Sequence, residues 1–183
     1  MTKLQNIGFI GTGIMGKSML RNLKKLAIPC IAMPVIRKRW QIWLPKGNGS
    51  FHHCYCVKAC QVMITIVGFP KDVEEVYFAP GAIFDSAAPG TYLVDMTTTS
   101  PTLAQKLYAE GKKKGLPVLD APVTGGDTGA KNGTLSILVG GDKEAYETLL
   151  PIFQGMGTNI NYMGAAGNGQ HAKMANQIMI AGA

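Results

Sequence analysis

Residues 4–10 form a short apolar run that ends in Gly11-Thr12-Gly13-Ile14-Met15-Gly16, and residues 17–26 then carry apolar side chains at helical spacing among good helix formers. A run of that length, three glycines and a 3.6-residue period together read as strand, tight turn and helix. Gly11 permits the turn, Gly13 lets backbone approach a pyrophosphate, and Gly16 lets helix and strand pack closely. The helix N-terminus adds unpaired N–H groups and the positive end of a dipole. The motif therefore predicts a dinucleotide-binding turn.

The remainder of the chain alternates in the same way. Residues 62–67 are a continuous β-branched apolar run of the kind buried in parallel sheets. A helix is expected over 71–78, a strand over 92–95, and a helix over 101–114 with Ser100 as N-cap and Pro101 at its first position. Strands over 118–120, 135–139 and 159–162 follow, with a helix from Asp142 to about 154 and a last helix over 169–183. Strands alternating with helices predict an α/β doubly wound (Rossmann) fold with a mostly parallel sheet.

Residues 27–60 resist this reading. They hold all four cysteines, both tryptophans and two of the three histidines, with neither a period of two nor one of 3.6, and only a strand over 30–36 is expected there. The cluster His52-His53-Cys54-Tyr55-Cys56 with Cys60 lacks the paired Cys-x-x-Cys knuckles of structural zinc sites, so no metal is expected. Residues 1–71 carry eleven Lys and Arg and no acid, whereas residues 72–183 carry seven bases and eleven acids. Such a split suggests an anionic partner, but no nucleic-acid motif accompanies it. No window approaches the roughly 18 apolar residues of a membrane span, and the first residues lack a signal peptide's apolar run. The expected location is the cytoplasm, with neither membrane nor nucleic acid as partner.

Three further stretches carry chemistry. Asp95-Met96-Thr97-Thr98-Thr99-Ser100-Pro101 follows a strand, where the carboxyl end of a parallel sheet meets a ligand cleft; it also reads as a helix cap. Asp120-Ala121-Pro122-Val123-Thr124-Gly125-Gly126 again follows a strand, and a hydroxyl before two glycines presents Oγ and backbone N–H groups to an anion such as a carboxylate. Gly164 to Gln177 runs Gly-x-x-Gly-x-Gly-x-x-x-Lys-x-x-Asn, which places Lys173 and Asn176 on one helix face.

In this order the four motifs resemble the β-hydroxyacid dehydrogenase family, which includes 3-hydroxyisobutyrate dehydrogenase and 2-hydroxy-3-oxopropionate reductase. The likeness covers residues 1–26 and 61–183. It implies that Lys173 is the catalytic lysine, that Asn176 holds the substrate and orients the lysine, and that Thr124, Gly125 and Gly126 bind the substrate carboxylate. Thr124 stands where serine is usual and keeps the hydroxyl. Cofactor contacts fall on Gly11, Thr12, Gly13, Ile14, Met15, Gly16, Val67, Gly68 and Thr98. The implied reaction is hydride transfer between NAD or NADP and a small hydroxy acid or its semialdehyde, with Lys173 as general acid and base. A non-catalytic NAD(P)-binding remnant of the 6-phosphogluconate dehydrogenase superfamily is the alternative.

The family fingerprint continues to a ribose-binding acid about 20 residues after the glycines. None exists in this chain, and Arg37 and Arg39 are poorly placed to read a 2′-phosphate, so NAD and NADP stay undivided. A reading-frame change that begins near residue 25 and is undone near 57 would account for the gap. With chosen codons, one alternative frame turns residues 26–30 into Gly-Tyr-Thr-Val and residues 36–46 into a charged amphipathic helix. As printed, the segment is expected to lose the second strand, the following helix and the ribose-recognition residue. The division expected is an NAD(P)-binding domain over 1–163 and, over 164–183, the start of a long interdomain helix. The resemblance implies an all-helical second domain that is absent from the sequence, so a family-type homo-oligomer is in doubt.

Overall fold

The computed structural model describes residues 6–27, 29–33 and 57–182. In chain order the elements are β1 (Ile7–Ile10), α1 (Ile14–Lys25), β2 (Cys30–Met33), β3 (Val62–Thr65), α2 (Pro70–Phe78), α3 (Ile83–Ser86), β4 (Tyr92–Asp95) and α4 (Pro101–Lys113). The second half adds β5 (Val118–Asp120), β6 (Val123–Thr124), α5 (Gly126–Asn132), β7 (Leu135–Gly140), α6 (Lys143–Gln154), β8 (Gly157–Gly164) and α7 (Asn168–Ala181). They form one sheet in the order β2-β1-β3-β4-β5-β7-β6, with β8 paired to β7. Strands β2, β1, β3, β4 and β5 are parallel, β7 is antiparallel to both β5 and β6, and β8 is parallel to β7. This is the expected doubly wound α/β fold.

The apolar strands are buried on both faces because helices cover both. Ile7, Phe9, Val62, Ile64 and Val94 point into one core with Met19, Leu23, Leu149 and Phe153. Their immediate neighbours Ile10, Met63 and Leu93 point into the other, with Val73, Val76, Tyr77 and Leu107. The period of two in strands thus feeds two cores from one sheet.

The structure differs from the sequence reading in three places. The second strand is retained: Cys30–Met33 pairs in register with Ile7–Ile10, so the expected loss of that strand is corrected. Residues 34–56, which hold the rest of the reading-frame argument, Arg37, Arg39, His52, His53, Cys54 and Cys56, lie outside the described residues. Asp142 occupies the N-cap of α6 but its side chain makes no capping bond; its Oδ1 accepts from the Tyr108 hydroxyl at 2.7 Å instead. Helix α5 and strand β6 carry no sequence period, being seven and two residues long.

Candidate active site

Strand β1 and helix α1 meet at the glycine turn as the motif requires. Gly11 has φ +99°, and a Cβ there would overlap the Ile66 carbonyl oxygen; a Cβ on Gly16 would overlap the Gly11 carbonyl. At Gly13, the N-cap of α1, a Cβ would meet nothing within 4 Å. Two glycines are therefore needed by the fold, and the third faces open space. No side chain caps α1 and no acid lies in its first turn, so its first N–H groups are left for an anion. This arrangement fits a dinucleotide pyrophosphate.

Beside it, at the carboxyl ends of β3 and β4, lies a cleft of about 530 Å³. Its wall includes Met15, Val67, Gly68, Thr98, Thr124, Gly125, Gly126 and Lys173, eight of the residues singled out in the sequence, with Ile66, Met96, Thr97, Val123, Gln177 and Ile180. Gly11, Thr12, Gly13, Ile14 and Gly16 form the adjoining turn and the start of α1. Asn176 lies behind the wall, where its Nδ2 donates to Thr124 Oγ1 at 3.3 Å. The long-range step is the arrival of α7, which carries Lys173 to a loop some fifty residues earlier in the chain.

The Lys173 side chain is 7% exposed. Its Nζ donates to Gln177 Oε1 at 2.8 Å, and the Asn176 amide donates to the same oxygen at 3.3 Å. Burial lowers the pKa of the ammonium below the ordinary lysine value, because a desolvated charge favours its neutral form. Among the described residues no carboxylate pairs with Lys173. A lysine so placed is suited to give and take a proton.

Two residues without an assigned role in the sequence hold this helix in place. Asp120, at the end of β5, accepts the backbone N–H of Gly167 on Oδ1 at 2.7 Å and that of Gln170 on Oδ2 at 2.9 Å. Burial raises its pKa, and these N–H groups oppose the rise. The Gln170 side chain, 1% exposed, accepts from Thr99 N at 2.9 Å and donates to the Thr97 carbonyl at 2.7 Å. Gly169 makes the close approach possible, since a Cβ would overlap the Leu138 carbonyl and crowd Asp120. The signal for Asp120 was its place at a strand end; for Gln170 no local pattern exists.

Asp95 serves the opposite side. Its Oδ1 accepts from Thr65 Oγ1 at 2.9 Å and Thr97 N at 3.1 Å. Because the Thr65 proton goes to the carboxylate, the Tyr77 hydroxyl, 3.1 Å away, donates to Thr65. Burial pushes Asp95 up to about 6, against the hydrogen bonds from Thr97 and Thr65. The cap expected at Ser100 is present as well, with Leu103 N donating to its Oγ at 3.2 Å.

Comparison with known proteins gives the family and the fold. The chain is 49% identical over 178 residues to the uncharacterized oxidoreductase YkwC of Bacillus subtilis, covering 97% of this chain and 62% of that protein. It is 36% identical to 2-hydroxy-3-oxopropionate reductase of Escherichia coli, over 96% of this chain and 60% of the relative. The structure of Mycobacterium tuberculosis 3-hydroxyisobutyrate dehydrogenase with L-serine superposes with a TM-score of 0.83 at 28% identity, covering 97% of this chain and 60% of that one. The chain thus spans about three-fifths of the length of these relatives. Residues 6–164 match the family described as the NAD binding domain of 6-phosphogluconate dehydrogenase, and the chain belongs to that family.

Proposed function

We propose that the chain is the dinucleotide-binding part of an NAD(P)-dependent oxidoreductase acting on a small hydroxy acid or its semialdehyde. The single observation that supports this most is the convergence of Lys173 and the Thr124-Gly125-Gly126 loop on one cleft beside the glycine turn. When bound, the nicotinamide supplies or accepts the hydride.

The residues of the chain do the rest. The open face at Gly13 and the N-terminus of α1 take the pyrophosphate, and Val67, Gly68 and Thr98 line the neighbouring wall. Thr124 Oγ1 and the two glycines that follow it bind the carboxylate, with Gly125 at φ +122° serving as N-cap of α5. Asn176 holds the Thr124 hydroxyl, and Lys173 Nζ moves the proton of the reacting oxygen. The lowered pKa increases the neutral fraction that accepts that proton. The relatives named for hydroxy-acid and semialdehyde chemistry support the substrate class.

The division at 163/164 belongs to the same proposal. Met174, Ile178 and Met179 on α7 are 51–75% exposed, the surface on which a further domain would pack. The test is nucleotide binding and turnover on a panel of small hydroxy acids. Lys173→Ala is expected to remove turnover and to spare binding of the reduced nucleotide, followed by fluorescence. Retained turnover would overturn the role of the lysine, and nucleotide binding without turnover in the parent chain would favour a non-catalytic module.

A further inference from the structure

We propose that Gln170 is a positioning residue that couples the nucleotide-side wall of the cleft to the helix carrying Lys173; this rests on the dinucleotide reading given above. The residue lies one helical turn before Lys173, so movement of one backbone turn moves the other. Its side-chain amide brackets Thr98, accepting from Thr99 N at 2.9 Å and donating to the Thr97 carbonyl at 2.7 Å. Thr97 is itself tied to the next loop, because its Oγ1 accepts from Val67 N at 3.0 Å. The backbone N–H of Gln170 is held by Asp120 Oδ2.

One side chain therefore links Val67 and Thr98, on the proposed nucleotide wall, to the first turn of α7. Every bond in this chain involves a buried or half-buried group, where an unmatched donor or acceptor is costly. Neither the loop nor the helix is able to shift without the other while the amide is in place. An apolar side chain of the same length would fill the space and break both links. Nucleotide at Val67 and Thr98 thus presets the position of Lys173, and the converse follows by linkage.

The test uses the full 183-residue chain with NADH and NADPH as probes. Two quantities are read: the dissociation constant from nucleotide fluorescence, and the Lys173 titration midpoint from ¹³C NMR of reductively methylated protein, assigned with Lys173→Arg. In the parent chain, saturating nucleotide is expected to move the midpoint. Gln170→Met is expected to raise the dissociation constant about tenfold, roughly 1.4 kcal/mol, and to reduce the nucleotide-dependent movement to the part that the nucleotide's own charge and desolvation cause. Thr91→Val is the control: it deletes a buried hydrogen bond to the Cys60 carbonyl at the far end of β4 and is expected to change neither quantity.

Gln170→Glu supplies a conservative rescue. Ionised, it keeps the acceptor for Thr99 N and loses the donor to Thr97; protonated, it regains the donor. Its affinity relative to the parent chain, compared at each pH so that Asp95 and Asp120 titrate in both, is expected to recover as pH falls. A folded Gln170→Met with the parental dissociation constant and the parental midpoint movement overturns the proposal. Should that variant fail to fold, a pH-independent affinity ratio for Gln170→Glu overturns it. If the parent chain binds neither nucleotide, the dinucleotide reading itself fails and the coupling falls with it; binding with no effect of Gln170 sinks the coupling alone.

Discussion

Asp95 and Asp120 stand opposite each other at the carboxyl ends of the parallel strands β4 and β5, both buried, with their oxygens turned to different tasks. Asp95 holds Thr65 and Thr97 on the nucleotide side. Asp120 holds the first turn of α7. Neither forms an ion pair among the described residues, so backbone N–H groups and threonine side chains carry the compensation for two desolvated carboxyls. The nearby Asp120 carboxylate raises the pKa of Asp95 further.

This arrangement makes stability depend on pH in a direction opposite to that of paired carboxylates. The folded pKa of Asp95 is about 6 against an ordinary 3.8, so the folded state holds the proton more tightly. Below about pH 4 the residue is neutral in both states and carries no penalty. As pH rises to about 6 its contribution falls by on the order of 3 kcal/mol, and above that it is level. Asp95→Asn keeps the acceptor for Thr65 and Thr97 and is expected to gain that amount relative to the parent between pH 4 and 7. Urea unfolding at several pH values measures it; a constant difference between the two proteins would refute the assignment.

Asp120→Ala leaves the N–H groups of Gly167 and Gln170 without their acceptor. Two orphaned donors are expected to cost on the order of 3 kcal/mol in total, less the relief of removing a desolvated charge. The measurement is thermal or urea unfolding. Amide hydrogen exchange should show the loss concentrated in the first turns of α7, while exchange in β1 and β3 stays as in the parent.

The three glycines of the turn should separate fold from function. Gly11→Ala and Gly16→Ala place a Cβ against backbone oxygens and are expected to destabilise by more than about 3 kcal/mol. Gly13→Ala adds a methyl in open space and is expected to change stability by less than about 1 kcal/mol. It narrows the approach for a pyrophosphate, so the dissociation constant for NADH should rise by about tenfold or more, roughly 1.4 kcal/mol. Calorimetry of folding and of binding on the same sample distinguishes the two effects.

Thr124 is half-buried and bonded to Asn176. Thr124→Val preserves shape and removes the hydroxyl, with an expected stability change within about 0.5 kcal/mol and a loss of affinity for small hydroxy acids. Thr124→Ser should retain that affinity. Titration calorimetry of the chain saturated with nucleotide is the check, and equal affinities for all three proteins would remove Thr124 from the carboxylate site.

Much of this fold was legible because its signals are local. The buried strands at Tyr92–Asp95 and Val118–Asp120 have the bounds their apolar runs predict, and the strand from Val62 ends two residues short, at Thr65. Elements too short for a period, α5 and β6, were not legible. The capping role of Asp142 failed for a tertiary reason, because Tyr108 from α4 takes its carboxylate.

By itself the sequence determined the alternation of strand and helix and the glycine turn, since each depends on neighbours within a few positions, while the residues proposed to bind a dinucleotide and move a proton were named by the family resemblance. Only the tertiary structure decided that Lys173 lines the same cleft as Thr124, that Asn176 bonds Thr124, that the lysine ammonium is desolvated, and that Asp120 and Gln170 hold its helix against the ends of β4 and β5. Those contacts join positions 47 to 73 residues apart, and no local periodicity records which strand end a distant helix meets. Burial of a charge is likewise a property of packing, so the lowered pKa of Lys173 exists only once α7 has docked on the sheet.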